Sequence, residues 1–284
     1  MCFLCDLKQR SPDAPAAGPW QARRAFLLAA SAAAAAPAMA QVDVGKASGM
    51  RKLVPAETIE KAGAQQFVAT VQEAKKQNAL MPADHPQTKR LHVIAKKIIP
   101  FTAAWNPRAK DWQWQVALIN SDQINAFCLP GGKIAFYTGI LNKLQLTDDE
   151  TAMIMGHEMA HALREHARER LAKSSATNLG LRLGAELLGL GNLGAVAADM
   201  GSQLLTLKFS REDESEADLV GLELAARGAY QPNASVSLWQ KMAKAGGGNG
   251  IAFLSTHPSG PERIRQLQAN VPKVQGLYEQ ARRG

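Results

Sequence analysis

The residue types best able to do chemistry in this chain stand together in His157-Glu158-Met159-Ala160-His161. Residues four apart share one face of a helix, so both imidazoles can reach a single ion while Glu158 sits beside the same point. A divalent metal held in this way acidifies water, and a neighbouring glutamate can take the proton released. The pattern therefore points to metal-assisted hydrolysis. Its plain alternative is a solvated helix with two surface histidines, which the apolar neighbours Met153, Ile154 and Met155 argue against.

A catalytic metal needs a third protein ligand and an open fourth position. His166 follows closely, but on an uninterrupted helix it lies half a turn round from His157 and is expected at the surface. Arg164 and Ala167 stand where a His-x-x-Gly-x-x-His continuation would need glycine and histidine. Glu214 is the better candidate, in Ser210-Arg211-Glu212-Asp213-Glu214-Ser215-Glu216-Ala217-Asp218. Glu214 and Asp218 share a helix face, so one can bind the metal while the other accepts the N–H of a ligating histidine. Taken alone the segment reads as a solvated acidic face; what gives it meaning is a His-Glu-x-x-His helix that lacks a third ligand.

These residues need elements to position them. Thr147 with Glu150 forms a capping box, and Asp148 and Asp149 suit the positive end of a helix dipole, so a helix is expected from Asp148 to about Ala172. Further helices are expected over Arg211 to Arg227, stopped by Gly228, and over Pro232 to Lys244. Upstream, Ile59, Ala62, Phe67 and Val71 after Pro55, and Leu91, Ile94, Ala95 and Ile98 before Pro100, recur at helical spacing. Between them Trp112 to Ile119, Asn125 to Leu129 and Lys133 to Tyr137 read as three strands, the last two joined by a turn at Pro130-Gly131-Gly132. A small antiparallel sheet is expected. Residues 174–207 are rich in Leu, Ala and Gly, but Arg182, Glu186 and Asp199 interrupt them, so buried or membrane-apposed helices are expected rather than a span. Residues 246–250 are a glycine loop.

Composition narrows the function further. The 284 residues are 46% apolar and 20% charged, which is a globular balance. The net charge is +8, yet aromatics make up only 6% and no Lys/Arg run exceeds two, so no nucleic-acid partner is expected and the charge is either generic or a help in peripheral association with an anionic membrane. Cys2, Cys5 and Cys128 offer no internal disulfide framework. Arg23-Arg24, then Phe26-Leu27-Leu28, then an Ala-rich stretch to Ala38-Met39-Ala40 reads as a signal peptide of twin-arginine type over residues 1–40, which predicts an exported, periplasmic product. Residues 41–54 read as a linker and 55–284 as one domain.

Three motifs in order resemble family 48 of the metallopeptidases: Asn125-Ala-Phe-Cys-Leu-Pro-Gly-Gly-Lys-Ile, His157-Glu-x-x-His161, and Glu214-x-x-x-Asp218 inside Ser-Arg-x-x-Glu-x-Glu-Ala-Asp. That group includes the CAAX prenyl proteases and the HtpX-, BepA- and Oma-type enzymes, and the resemblance runs from about Pro55 to Leu267. It implies an α+β, mainly α, fold of the zincin (gluzincin) kind with a small antiparallel sheet beside the active-site helix. It also implies one Zn²⁺ held by His157, His161 and Glu214, with Glu158 as general base and Asp218 behind a ligand. The strand at Lys133 to Phe136 becomes the edge on which a peptide substrate pairs. His257-Pro258 is similar to a His-Pro motif of soluble members in which the histidine can approach zinc, so His257 is either a removable fourth ligand or a plain loop histidine. Arg263 is expected either to stabilise the oxyanion of a tetrahedral intermediate or to be a salt-bridging helix residue, and Cys128 is expected to be a buried, inert thiol.

The function expected is a zinc-dependent endopeptidase of the cell envelope that degrades misfolded or misassembled exported proteins. A chaperone or assembly factor with a latent zinc site is the alternative, and a non-catalytic membrane-surface module a more distant one. Oligomeric state is not encoded in these patterns.

Overall fold

The computed structural model describes residues 42–174, 200–246, 251–258 and 260–284. The expected signal peptide, most of the Leu/Ala/Gly-rich stretch and most of the glycine loop lie outside the described residues.

Helix α1 (Ala56–Lys76) starts after Pro55 and buries Ile59, Ala62, Phe67 and Ala74. Helix α2 (Pro86–Ile98) has proline in its first turn, where no amide bond is lost, and His85 Nδ1 caps it by accepting from the Gln87 amide at 3.3 Å. Its buried residues include Leu91, Ile94, Ala95 and Ile98, the stripe that the spacing predicted.

The sheet holds β1 (Gln115–Ile119), β2 (Ala126–Leu129) and β3 (Lys133–Tyr137) in the order β1-β3-β2. A tight turn joins β2 to β3 as a hairpin, with Gly131 at φ 84° and Gly132 at φ 78°, where a Cβ is disfavoured. With one side of β3 taken by β2, β1 occupies the other and runs parallel to it, Gln115 facing Lys133 and Ile119 facing Tyr137. The sheet is thus mixed rather than antiparallel, because period-two alternation reports which face is buried and not which way a neighbour runs. A second correction follows. The strand expected as the substrate-binding edge, β3, is central, and the edge beside the active-site helix is β2.

After the short α3 (Thr138–Lys143), the spine of the domain is α4 (Asp148–Leu163), in which every residue from Glu150 to Leu163 is buried. Its capping box is present: Thr147 Oγ1 accepts from the Glu150 amide at 3.2 Å, and Glu150 Oε2 accepts from the Thr147 amide at 2.9 Å. The helix does not continue to Ala172. Glu165 takes a left-handed backbone, φ 61°, and a new helix α5 (His166–Ser174) begins after it.

Helix α6 (Arg211–Arg227) crosses α4, with α7 (Ala234–Ala245), α8 (Ala252–Thr256) and α9 (Pro261–Arg283) completing the helical half. The crossing is set by two glycines. A Cβ on Gly156 would stand 2.7 Å from Gly221 O, and one on Gly221 would stand 2.6 Å from the His157 amide nitrogen, so only bare backbones can come this near.

The segment 42–54, expected as a linker, is fastened to this body. Val42 is buried and its amide donates to Glu223 Oε2 at 3.1 Å, Gly45 O accepts from Arg164 Nη2 at 3.0 Å, and Val54 O accepts from Arg168 Nε. No helix among the described residues is long and apolar enough to cross a membrane.

Candidate metal centre

The close α4–α6 crossing places the middle of one helix against the first turns of the other. Ser210 Oγ caps α6 by accepting from the Asp213 amide at 3.1 Å, while Asp213 returns a bond to the Ser210 amide at 2.8 Å. Four side chains converge: His157 and His161 from α4, Glu214 from α6, and His257 from the residue after α8, with their ligand atoms all within 4.8 Å of one another. His161 Nε2 lies 3.2 Å from His157 Nε2, His157 Nε2 lies 3.3 Å from His257 Nδ1, and Glu214 Oε1 lies 3.4 Å from His161 Nε2 and 3.0 Å from His257 Nδ1. All four are buried, none more than 3% exposed.

The donor set fits a metal ion on two observations. Asp218 Oδ1 stands 3.0 Å from His157 Nδ1 and accepts its proton, which leaves the lone pair of Nε2 facing the cluster. Glu158 Oε1 is buried with no hydrogen-bond partner. Converging lone pairs and a carboxylate oxygen repel one another unless a cation lies among them, and two histidines with one glutamate are a ligand set that zinc takes.

The surrounding charges divide the carboxylates by role. Burial would raise the Glu214 carboxyl, but His157, His161 and His257 outweigh it and hold it well below the usual range. Burial would likewise raise Asp218, but Arg263 and His157 hold it low. At Glu158 burial outweighs the opposing pull of His257 and His157 and lifts the carboxyl above its usual value, which makes it the better proton acceptor. Its Oε1 lies 3.5 Å from His257 Nε2, and Glu158 is among the residues lining a cleft of about 150 Å³ between β2 and the chain at Leu204 to Phe209.

Arg263 is buried behind the cluster and does not face this cleft. Its Nε and Nη2 each donate to Asp218 at 2.7 Å, its Nη1 donates to Pro258 O at 2.9 Å and lies 2.6 Å from Glu214 Oε2, and its plane lies 3.7 Å over Trp239. The expected oxyanion role is corrected to an ion pair that holds the carboxylates. This is the salt-bridging alternative, with both carboxylate partners on α6. Cys128 lies in β2 with its thiol pushed well up by burial, as an inert core cysteine should be.

His166 is a further correction. The break at Glu165 turns α5 back toward α4, and His166 is 2% exposed with its Nδ1 2.9 Å from His161 Nδ1. No glycine, proline or asparagine announces that break. Two other neighbours were not anticipated: Phe209 stacks on the His161 ring at 4.0 Å, and Glu216 accepts from Arg164 Nε at 2.7 Å.

A buried His-Glu-x-x-His helix crossed by a helix bearing Glu214 and Asp218 defines a metallopeptidase. The chain belongs to peptidase family M48, whose family model matches residues 85–271. Zinc is the metal of that family, and the cluster found here fits it. The chain is 36% identical over 199 residues to the mitochondrial metalloendopeptidase OMA1 of Schizosaccharomyces pombe, covering 69% of this chain and 56% of that one. It is 32% identical over 219 residues to the Saccharomyces cerevisiae OMA1, covering 72% and 62%. It is 26% identical over 201 residues to the metalloprotease LoiP of Escherichia coli, covering 69% and 75%. The chain thus spans about three fifths of the length of the two yeast relatives. These relatives also correct the expected periplasmic location, since both OMA1 proteins are mitochondrial.

Proposed function

We propose that this protein is a zinc-dependent endopeptidase that cuts extended, unfolded segments of protein substrates. The observation that carries the proposal is the buried His157, His161, Glu214 cluster with Glu158 Oε1 beside it without a hydrogen-bond partner, next to β2, an edge strand among the described residues. Zinc held by His157, His161 and Glu214 supplies the positive charge that polarises a scissile carbonyl and acidifies water at that point. The rest is done by side chains and backbone of this chain. Glu158 accepts the proton of the attacking water at Oε1 and delivers it to the leaving amine nitrogen. The β2 edge offers amides and carbonyls to an extended substrate, a mode of binding that reads backbone and tolerates many sequences. A folded substrate has no free strand to give, which favours misfolded or misassembled proteins as the substrate class.

His257 completes the cluster as a fourth group, which supports a resting state in which this imidazole occupies the position that water and substrate need. Zinc would then be retained and hydrolysis restrained until the chain around α8 moves. His257→Ala is expected to raise the rate against an unfolded protein while leaving zinc content unchanged, and a lower rate would assign His257 to the transition state instead.

The test of the main reading is casein degradation by the full chain. Activity is expected to disappear with a chelator, to return with zinc, and to fall by about 10²- to 10⁴-fold in Glu158→Gln with the metal still bound. A Glu158→Gln variant that keeps most of the wild-type rate would overturn it.

A further inference from the structure

The two histidines of α4 are supported differently. His157 has a carboxylate directly behind it, Asp218 at 3.0 Å. His161 has another imidazole, with His166 Nδ1 2.9 Å from His161 Nδ1, and His166 Nε2 in turn lies 3.3 Å from Glu216 Oε2. Glu216 is fixed by Arg164 Nε at 2.7 Å, and Arg164 Nη2 reaches back to Gly45 O in the fastened 42–54 segment.

The protons in this chain of contacts can be assigned from its far end. A carboxylate only accepts, so Glu216 takes the Nε2–H of His166. A neutral imidazole has one donor and one acceptor, so Nδ1 of His166 is left with a lone pair. At 2.9 Å it accepts the Nδ1–H of His161, and Nε2 of His161 then carries the lone pair that faces His157, Glu214 and His257. The order is the one seen at His157, with a neutral ring interposed. It needs the chain reversal at Glu165, because on a continuous helix His166 would face away.

We propose that His166 is a positioning residue for the metal centre: held by Glu216 and Arg164, it fixes the orientation and tautomer of His161 so that Nε2 is presented to the ion. This rests on the zinc reading of the site. Groups that orient metal-ligating histidines in this way typically contribute ten- to hundredfold to metal affinity. The pair explains two features that catalysis does not otherwise use: a buried histidine five residues past the motif, and the left-handed Glu165 that brings it there.

The experiment compares zinc affinity, by competition with a chromogenic chelator, in the full-length wild type, His166→Leu and His166→Asn. Melting temperatures of the metal-free forms are measured alongside. Asparagine places its amide oxygen two bonds from Cβ, as histidine places Nδ1, and so keeps an acceptor for His161; leucine has none. His166→Leu is expected to bind zinc about ten- to hundredfold more weakly, and His166→Asn to recover most of that loss. The Co²⁺-substituted His166→Leu protein is expected to show a shifted visible spectrum, which a change in packing alone would not produce. Wild-type affinity in His166→Leu would overturn the proposal while leaving the zinc site standing. So would equal weakening of both variants in step with their metal-free melting temperatures. A wild-type chain that binds no zinc would overturn the site and the proposal together.

Discussion

The metal centre and the cleft beside it are built on opposite plans. Around the metal centre, buried polar groups are tied to named partners: Asp218 to His157 and Arg263, Glu214 to His257 and Arg263, Glu216 to Arg164 and His166. The cleft is instead lined by β2 with Phe127 on one side and by Leu205 and Leu207 on the other, and Phe127 tilts against Tyr137 at 6.4 Å. Chemistry needs atoms held at fixed points in a dry setting, whereas recognition of unfolded chain needs only backbone groups and an adaptable apolar surface. Substitutions behind the metal centre should therefore damage fold and metal together, and those in the cleft lining should touch affinity alone.

The largest expected effect is that of Asp218→Ala. It leaves the buried Arg263 guanidinium without its carboxylate and His157 without its acceptor, and should cost about 3–5 kcal/mol in denaturant unfolding. A loss below 1 kcal/mol would show that Arg263 is paired well enough by other groups. Gly221→Ala comes next, because its Cβ would meet the His157 amide at 2.6 Å. About 1–3 kcal/mol of overpacking is expected, with weaker zinc binding because the helices carrying the ligands are pushed apart. Unchanged zinc affinity would separate the crossing from the site.

That crossing also shows how far the sequence could be read. His157, Glu158 and His161, and likewise Glu214 and Asp218, were legible because a spacing of four fixes a shared helix face. Thr147 with Glu150 marked where the first of those helices starts. Strand direction was not legible, since alternation carries no sign of parallel or antiparallel. The break at Glu165 was hidden because a glutamate carries no turn signal, and with it went the place of His166. Arg263 was identified as important, but which carboxylate it meets depends on packing among α6, α7 and α9.

Glu150→Ala is expected to cost about 1–2 kcal/mol, since its carboxylate caps α4 and accepts from Ser237 Oγ at 2.8 Å and Lys241 Nζ at 2.7 Å. Burial would raise this carboxyl, but Lys241, the Thr147 amide and Ser237 outweigh it and hold it below its ordinary value of 4.5. Its contribution is therefore present above pH 4.5 and lost as pH falls through the lower folded-state value. Melting of the wild type across that range should lose stability that Glu150→Ala has already lost. Leu207→Ala, in the cleft lining, should leave the melting temperature nearly unchanged and lower kcat/KM for an unfolded substrate by about fivefold, the equivalent of roughly 1 kcal/mol of half-exposed apolar contact. A large loss of stability there would erase the contrast between the metal centre and the cleft lining.

The central claim is that one zinc is held between α4 and α6, and metal analysis of the full chain beside its Glu214→Ala variant tests it most directly. The account predicts one zinc per chain in the wild type and a marked loss in the variant, with both proteins folded by circular dichroism. Full zinc occupancy in Glu214→Ala, or none in the wild type, would contradict it.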